Sequence, residues 1–176
     1  MKRLFALASV AIFLAGGAYA DSTLTNSGAN PSVDGTIGAS EYQYSSALPP
    51  GITLHATLGS DNRLYLAVEA PTSGWVAIGV GGLVMNGSRL FLAAIQDGKP
   101  AFIEKTGIGH FYTDAKQLVV EKWSVATKGN DTVLELSIPA SAAISKGQIK
   151  AICAYSNSPS FTRKHAAHAS LTLTVK

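Results

Sequence analysis

The sequence predicts an all-β domain, an antiparallel sandwich or barrel, on three observations. Short runs alternate apolar and polar residues, turn residues punctuate them at regular intervals, and stretches with helical periodicity are almost absent. The strand candidates are ITLHATLG (52–59), RLYLAVEA (63–70), GWVAIGVG (74–81), RLFLAAIQ (89–96) and AFIEKTG (101–107). They continue with QLVVEKWSVA (117–126), TVLELSIP (132–139), QIKAICAY (148–155) and ASLTLTVK (169–176). Turn signals separate them at 60–62, 71–74, 96–100, 128–131 and 158–160. PASAAISKG (139–147) is the one helix candidate, and it is short.

Alternation assigns faces. Leu64, Leu66 and Val68 share one side of their run, and Tyr65, Ala67 and Glu69 the other. In the last run Leu171, Leu173 and Val175 point one way, toward the core, and Ser170, Thr172 and Thr174 the other. Extended backward without a bulge, that parity places His165 on the core side and His168 on the polar side.

Residues 1–20 read as a cleaved export signal. Lys2 and Arg3 precede the apolar LFALASVAIFLAGG, and Ala18-Tyr19-Ala20 gives the small-x-small cleavage pattern. A single domain over 22–176 is expected, with no membrane span in the mature chain and a periplasmic or secreted location. Cleavage removes two of the 14 basic residues and leaves 12 against 11 acidic ones, too even a balance for a nucleic-acid partner. Cys153 is the only cysteine, which excludes an intramolecular disulfide and a C-x-x-C-H haem attachment; it reads as a small buried hydrophobe.

No G-x-S-x-G, P-loop, H-E-x-x-H or strand-to-helix G-x-G-x-x-G occurs, and no Ser/His/Asp spacing singles out a triad, so the chain reads as a non-enzyme. His55, flanked by Thr53 and Thr57, reads as solvent-facing or at a sheet edge. His110 lies in the glycine-rich GIGHFYTD (107–114), where it is a candidate pocket residue. His165 and His168 have i, i+3 spacing, which on a helix suits a metal but in an extended stretch makes the rings diverge. Met85, the only methionine besides Met1, has two readings: apolar gap filler, or a thioether that with an imidazole suits copper or haem iron. Spacing does not choose between them.

Three stretches together resemble a DOMON domain. They are VDGTIGASEYQYS (33–45), ITLHATLGSDNRLYLAVEAPTSGWVAIGVGG (52–82) and MNGSRLFLAAIQDGK (85–99), with 138–175 similar to that family's C-terminal part. The resemblance implies an antiparallel β-sandwich of DOMON-like, immunoglobulin-like architecture, with at most one short helix, that binds haem or sugars. In haem-binding members a methionine and a histidine hold a non-covalent haem b. Those positions fall on Met85 and on His165, the histidine that strand parity also selects. The implied function is one-electron transfer with a redox partner protein, diffusible or separately encoded. Arg89, Arg163 and Lys164 are then candidate propionate partners. Trp75 is a candidate pocket residue whose simpler reading is sandwich core, and Gly87 belongs to the turn that lets backbone approach the macrocycle. The chain departs from the family at Ser88 and Arg89, where many members carry aspartate, and at His168-Ala169, where many carry Arg-Gly. Two alternatives stay open: a sugar-binding module using Tyr42, Tyr44, Phe111 and Tyr112 as a platform, and a copper carrier using Met85, His165 and His168.

Overall fold

The computed structural model describes residues 22–176, so the export signal expected over 1–20 lies outside the described residues. Two sheets face each other. The larger is ordered β1 (Thr23–Leu24), β13 (Ala167–Val175), β12 (Gln148–Tyr155), β5 (Val76–Val80), β6 (Arg89–Gln96), β7 (Lys99–Ile108) and β8 (Phe111–Asp114), with β11 (Ile144–Ser145) paired to β12. The smaller is ordered β2 (Tyr44–Leu48), β3 (Ile52–Leu58), β4 (Arg63–Ala70), β10 (Asp131–Pro139) and β9 (Lys122–Lys128). Every strand pairing is antiparallel except β1 with β13. This is the all-β sandwich the alternation predicts.

The core lies between the sheets, where Leu64, Leu66 and Val68 meet Ile78, Phe91, Leu136, Ile149 and Leu173, all fully buried. Leu171 and Val175 pack against the same core, so the parity read from the last strand holds along β13. Cys153 is buried and free, its thiol pushed up to about 12 by burial. The helix expected over 139–147 is instead a single 3₁₀ turn, Ala140–Ala142, followed by β11. Lys146 and Gly147 then both take positive φ, which closes a two-residue hairpin into β12.

What alternation does not predict is that both sheets are covered on their outer faces. On the smaller sheet the segment 33–42 lies over β4, packing Val33, Ile37 and Tyr42 against Tyr65 and Ala67. A fully buried carboxylate pins it there. Glu135 Oε2 accepts the backbone N–H groups of Asp34, Gly35 and Thr36 at 3.1, 2.7 and 3.1 Å, and Oε1 accepts the Tyr42 hydroxyl at 2.7 Å. Burial, followed by the charge and hydrogen bond of Glu135, pushes the Tyr42 phenol far above its usual value, so it stays a donor.

The same cover corrects the reading of His55. The side chain is buried, not solvent-facing, because segment 33–42 brings the Tyr42 ring to 5.6 Å from it. Its Nδ1 pairs with Ser45 Oγ at 2.7 Å, while Nε2 is buried without a partner among the described residues. Burial lowers the imidazole below the ordinary histidine value of 6.5. The unfolded chain therefore takes up the proton first as pH falls, and stability drops from about pH 6.5 downward until the folded pKa is passed. We expect the urea midpoint to be lower at pH 5.5 than at pH 7.5, and His55→Leu to flatten that difference. An unchanged slope in the variant would mean the ring accepts its proton at no cost.

Candidate functional site

The outer face of the larger sheet carries a second apolar cluster, separate from the core. Trp75, Ala77, Leu90, Leu92 and Ala94 are buried there, and Met85, Ile103, Tyr112, Ile152, Ala154 and Phe161 pack against them. The sequence places these residues by parity. On β6, Phe91 and Ala93 point into the core and Leu90 and Leu92 point out; on β12, Ala151 and Cys153 point in and Ile152 and Ala154 out. Trp75 belongs to this outer cluster, so its sandwich-core reading is replaced.

Two loops close over the cluster. The first, 81–88, brings Met85. Gly87 takes a φ of +78°, its N–H donates to Gly107 O at 2.9 Å, and Gly107 N–H donates to Ser88 O at 2.9 Å. The Met85 carbonyl accepts the Ser88 N–H at 3.0 Å, while Asn86 Oδ1 accepts the Gly109 N–H at 2.9 Å. A Cβ on Gly107 would lie 1.9 Å from the Met85 carbonyl oxygen, so only glycine lets this turn rest on β7. We expect Gly107→Ala to cost about 1–3 kcal/mol as an overpacked site. The comparison is Gly98→Ala, where the Cβ meets open space and only the left-handed backbone penalty of about 1–2 kcal/mol applies. Chemical denaturation with Trp75 and Trp123 fluorescence separates them, since the Gly107 variant also moves Met85 and the Gly98 variant does not.

The second loop, 156–166, leads to the histidine pair. Trp75 Nε1 donates to Arg163 O at 3.2 Å, and the Tyr112 hydroxyl donates to Phe161 O at 2.6 Å, so both aromatic residues strap it down. The β-parity expected to continue back to His165 stops at Ala167. Ala166 N–H bonds to Tyr155 O at 2.7 Å, and the chain bends there instead of staying extended. His165 therefore lies beside His168, with ring centroids 5.0 Å apart. His168 pairs with Ala154 in register, which puts it on the outer face with the cluster. Burial, with smaller contributions from His168 and Lys164, holds the His165 imidazole below its ordinary value, leaving it neutral with a free lone pair at pH 7.

The remaining candidates separate. Arg89 is committed elsewhere: its guanidinium pairs with the buried Glu104 carboxylate and donates to Gln117 O, on the inward face of β6, opposite Leu90 and Leu92. Arg163 and Lys164 are exposed on the loop before His165, and His110 is exposed in the turn between β7 and β8. The four aromatic residues of a sugar platform do not assemble. Tyr42 and Tyr44 are buried in the two clusters of the smaller sheet and the core, Tyr112 packs on the outer cluster, and Phe111 is 80% exposed. Sequence reasoning did not foresee the apolar rim around Met85, where Leu83, Val84, Ile108 and Phe111 stand exposed. The GLV run and the I-x-x-F spacing were its only traces.

Met85, resting on Gly107 of β7, and the His165–His168 pair at the start of β13 flank the cluster from opposite sides, with β12, β5 and β6 between. The sandwich fold, apart from the site, is shared with solved structures. The cytochrome b domain of pyranose dehydrogenase from Coprinopsis cinerea superposes with a TM-score of 0.58 at 12% identity, over 74% of this chain and 80% of that one. The cytochrome domain of Myriococcum thermophilum cellobiose dehydrogenase superposes with a TM-score of 0.55 at 13% identity, over 76% and 81%. The likeness is one of fold, a two-sheet all-β sandwich common to these cytochrome domains and this chain. No sequence-family model and no curated protein matches the chain. Among the described residues no helix is long and apolar enough to cross a membrane.

Proposed function

We propose that this chain is an exported b-type cytochrome in which Met85 and His165 are the axial ligands of a non-covalent haem that passes single electrons between partner proteins. One observation carries the reading. A loop bearing a thioether and a loop bearing a neutral imidazole border one apolar cluster on the same outer sheet face, so both side chains could hold a haem laid against it. The donor set suits haem iron of raised potential, and the cluster of Trp75, Leu90, Leu92 and Phe161 supplies an apolar surface for a flat macrocycle. Likeness to two cytochrome domains supports the same reading.

Haem supplies the one-electron couple; the chain's residues hold and insulate it. Met85 and His165 would hold the iron from the protein, and two protein ligands would disfavour small-molecule chemistry there. Trp75 holds the 156–166 loop through its indole N–H and keeps water from the cluster. Arg163 and Lys164, exposed beside His165, would pair with propionate carboxylates, a role Arg89 cannot take while it is paired with Glu104. Gly87 shapes the Met85 turn, and exposed His110 lies at the rim with Ile108 and Phe111. Cleavage after residue 20 would deliver the domain to the periplasm or outside the cell, where its redox partner must also be.

The test is an absorption spectrum of the exported protein produced with haem supply, oxidised and then reduced with dithionite. A sharp Soret band with resolved α and β bands on reduction is expected for six-coordinate low-spin haem. A visible spectrum that stays flat after haem addition sinks the proposal.

A further inference from the structure

The convergence of His165 and His168 is unexpected from the sequence, which predicts diverging rings in an extended stretch. The bend at Ala166 brings their centroids to 5.0 Å with planes inclined at 79°. His165 is half-buried and His168 exposed, so the pair opens to solvent.

We propose that His165 and His168 form a chelating site for one divalent copper ion at the start of β13. The spacing carries the argument. An imidazole nitrogen binds a metal at about 2.0 Å, and the ring centroid lies about 1.1 Å further along the same line. Two centroids about 3.2 Å from one ion and 5.0 Å from each other subtend an angle of about 100°. That lies between the roughly 90° of cis ligands in a tetragonal complex and the roughly 110° of a tetrahedral one. A linear two-coordinate ion would need the centroids more than about 6 Å apart, which excludes the geometry monovalent copper takes with two imidazoles alone.

The surroundings choose among divalent ions. No third histidine, cysteine, aspartate or glutamate gathers at the pair among the described residues, so water completes the coordination and the ion stays exchangeable. Lys164 and Arg163 stand beside His165 and oppose any dication by charge. Only a metal with strong nitrogen bonds overcomes that, and copper stands above nickel, cobalt and zinc in affinity for such donors. The site stands independently of the haem reading, although the two share His165, so haem and copper exclude one another there.

The pair also has a simpler use, edge packing of two rings, and one variant separates the two. His168→Phe keeps a ring at the contact and removes both nitrogens. The experiment titrates copper(II) chloride into the exported chain prepared without added haem, read by electron paramagnetic resonance and by competition with a chelator of known affinity. One equivalent is expected to bind with hyperfine splitting from two nitrogens. His165→Ala and His168→Phe should each weaken it by about tenfold or more, while His55→Leu on the other sheet leaves it unchanged and zinc binds about tenfold more weakly. Thermal melts confirm that the variants fold. No bound copper, or wild-type affinity in His168→Phe, overturns the site, and neither result alters what the haem spectrum reports.

Discussion

Glu135→Ala is expected to lower the free energy of unfolding by about 3–5 kcal/mol, the largest single effect outside the core. The substitution leaves the N–H groups of Asp34, Gly35 and Thr36 and the Tyr42 hydroxyl without their acceptor. Each orphaned donor costs about 1–3 kcal/mol where water cannot reach it, and charge-assisted bonds are the stronger ones. Asp34 and Thr36 sit near the surface and recover part of that from solvent, whereas Gly35 N–H and the Tyr42 hydroxyl do not. Glu135→Gln keeps one carbonyl oxygen and should cost about half as much. Urea denaturation gives the stability, and limited proteolysis gives the locus, since cleavage should appear first within 33–42. A cost below about 1 kcal/mol would mean that Val33 and Ile37 alone hold the segment on the sheet.

Glu135 also marks where sequence reading stops. Within TVLELSIP its parity is that of a polar outward residue, and outward it does point. That an N-terminal loop a hundred residues earlier lies on it is a long-range fact that alternation cannot carry. His55 failed for the same reason: flanking threonines describe the strand's own face, not what covers it. Strands with long apolar alternation, β3 to β6, β10, β12 and β13, were legible to within about two residues. The edge pieces β2 and β8 were not, being short and exposed on one side. The run expected over 117–126 became β9 at Lys122–Lys128, because the Glu104 carboxylate takes the N–H groups of Val119 and Val120 that a ladder would have used.

For the candidate site the sequence offered donors without their surroundings. Met85 stood out as the single internal methionine, and parity favoured His165 on the core face of β13, but the bend at Ala166 ends that parity and sets His165 beside His168. Arg89 looked available because a sequence does not display Glu104 across the strand pair. Trp75 looked like core because a buried tryptophan in an apolar strand gives no sign of which sheet face it serves.

Those donors make the second large prediction specific. Met85→Leu nearly conserves side-chain volume at a half-buried position, so the cost in stability should stay below about 1.5 kcal/mol and the sandwich should fold as before. If the proposed ligation holds, what changes is the sixth ligand. A low-spin haem should become five-coordinate and high-spin, with a weakened reduced α band. Loss of thioether ligation should lower the reduction potential by on the order of 100 mV, a modest share of the roughly 0.8 V that axial ligands span. Met85→His should restore a low-spin spectrum while leaving the potential low, because two imidazoles favour the oxidised iron relative to a thioether and an imidazole. His165→Ala removes the other ligand and should cost haem retention itself, whereas His168→Ala should not. If Met85→Leu leaves both spectrum and potential unchanged, Met85 is packing on the outer cluster and the sixth ligand lies elsewhere. If His168→Ala rather than His165→Ala strips the haem, the bend at Ala166 presents the other ring of the pair, and the thioether assignment still stands on the Met85 series.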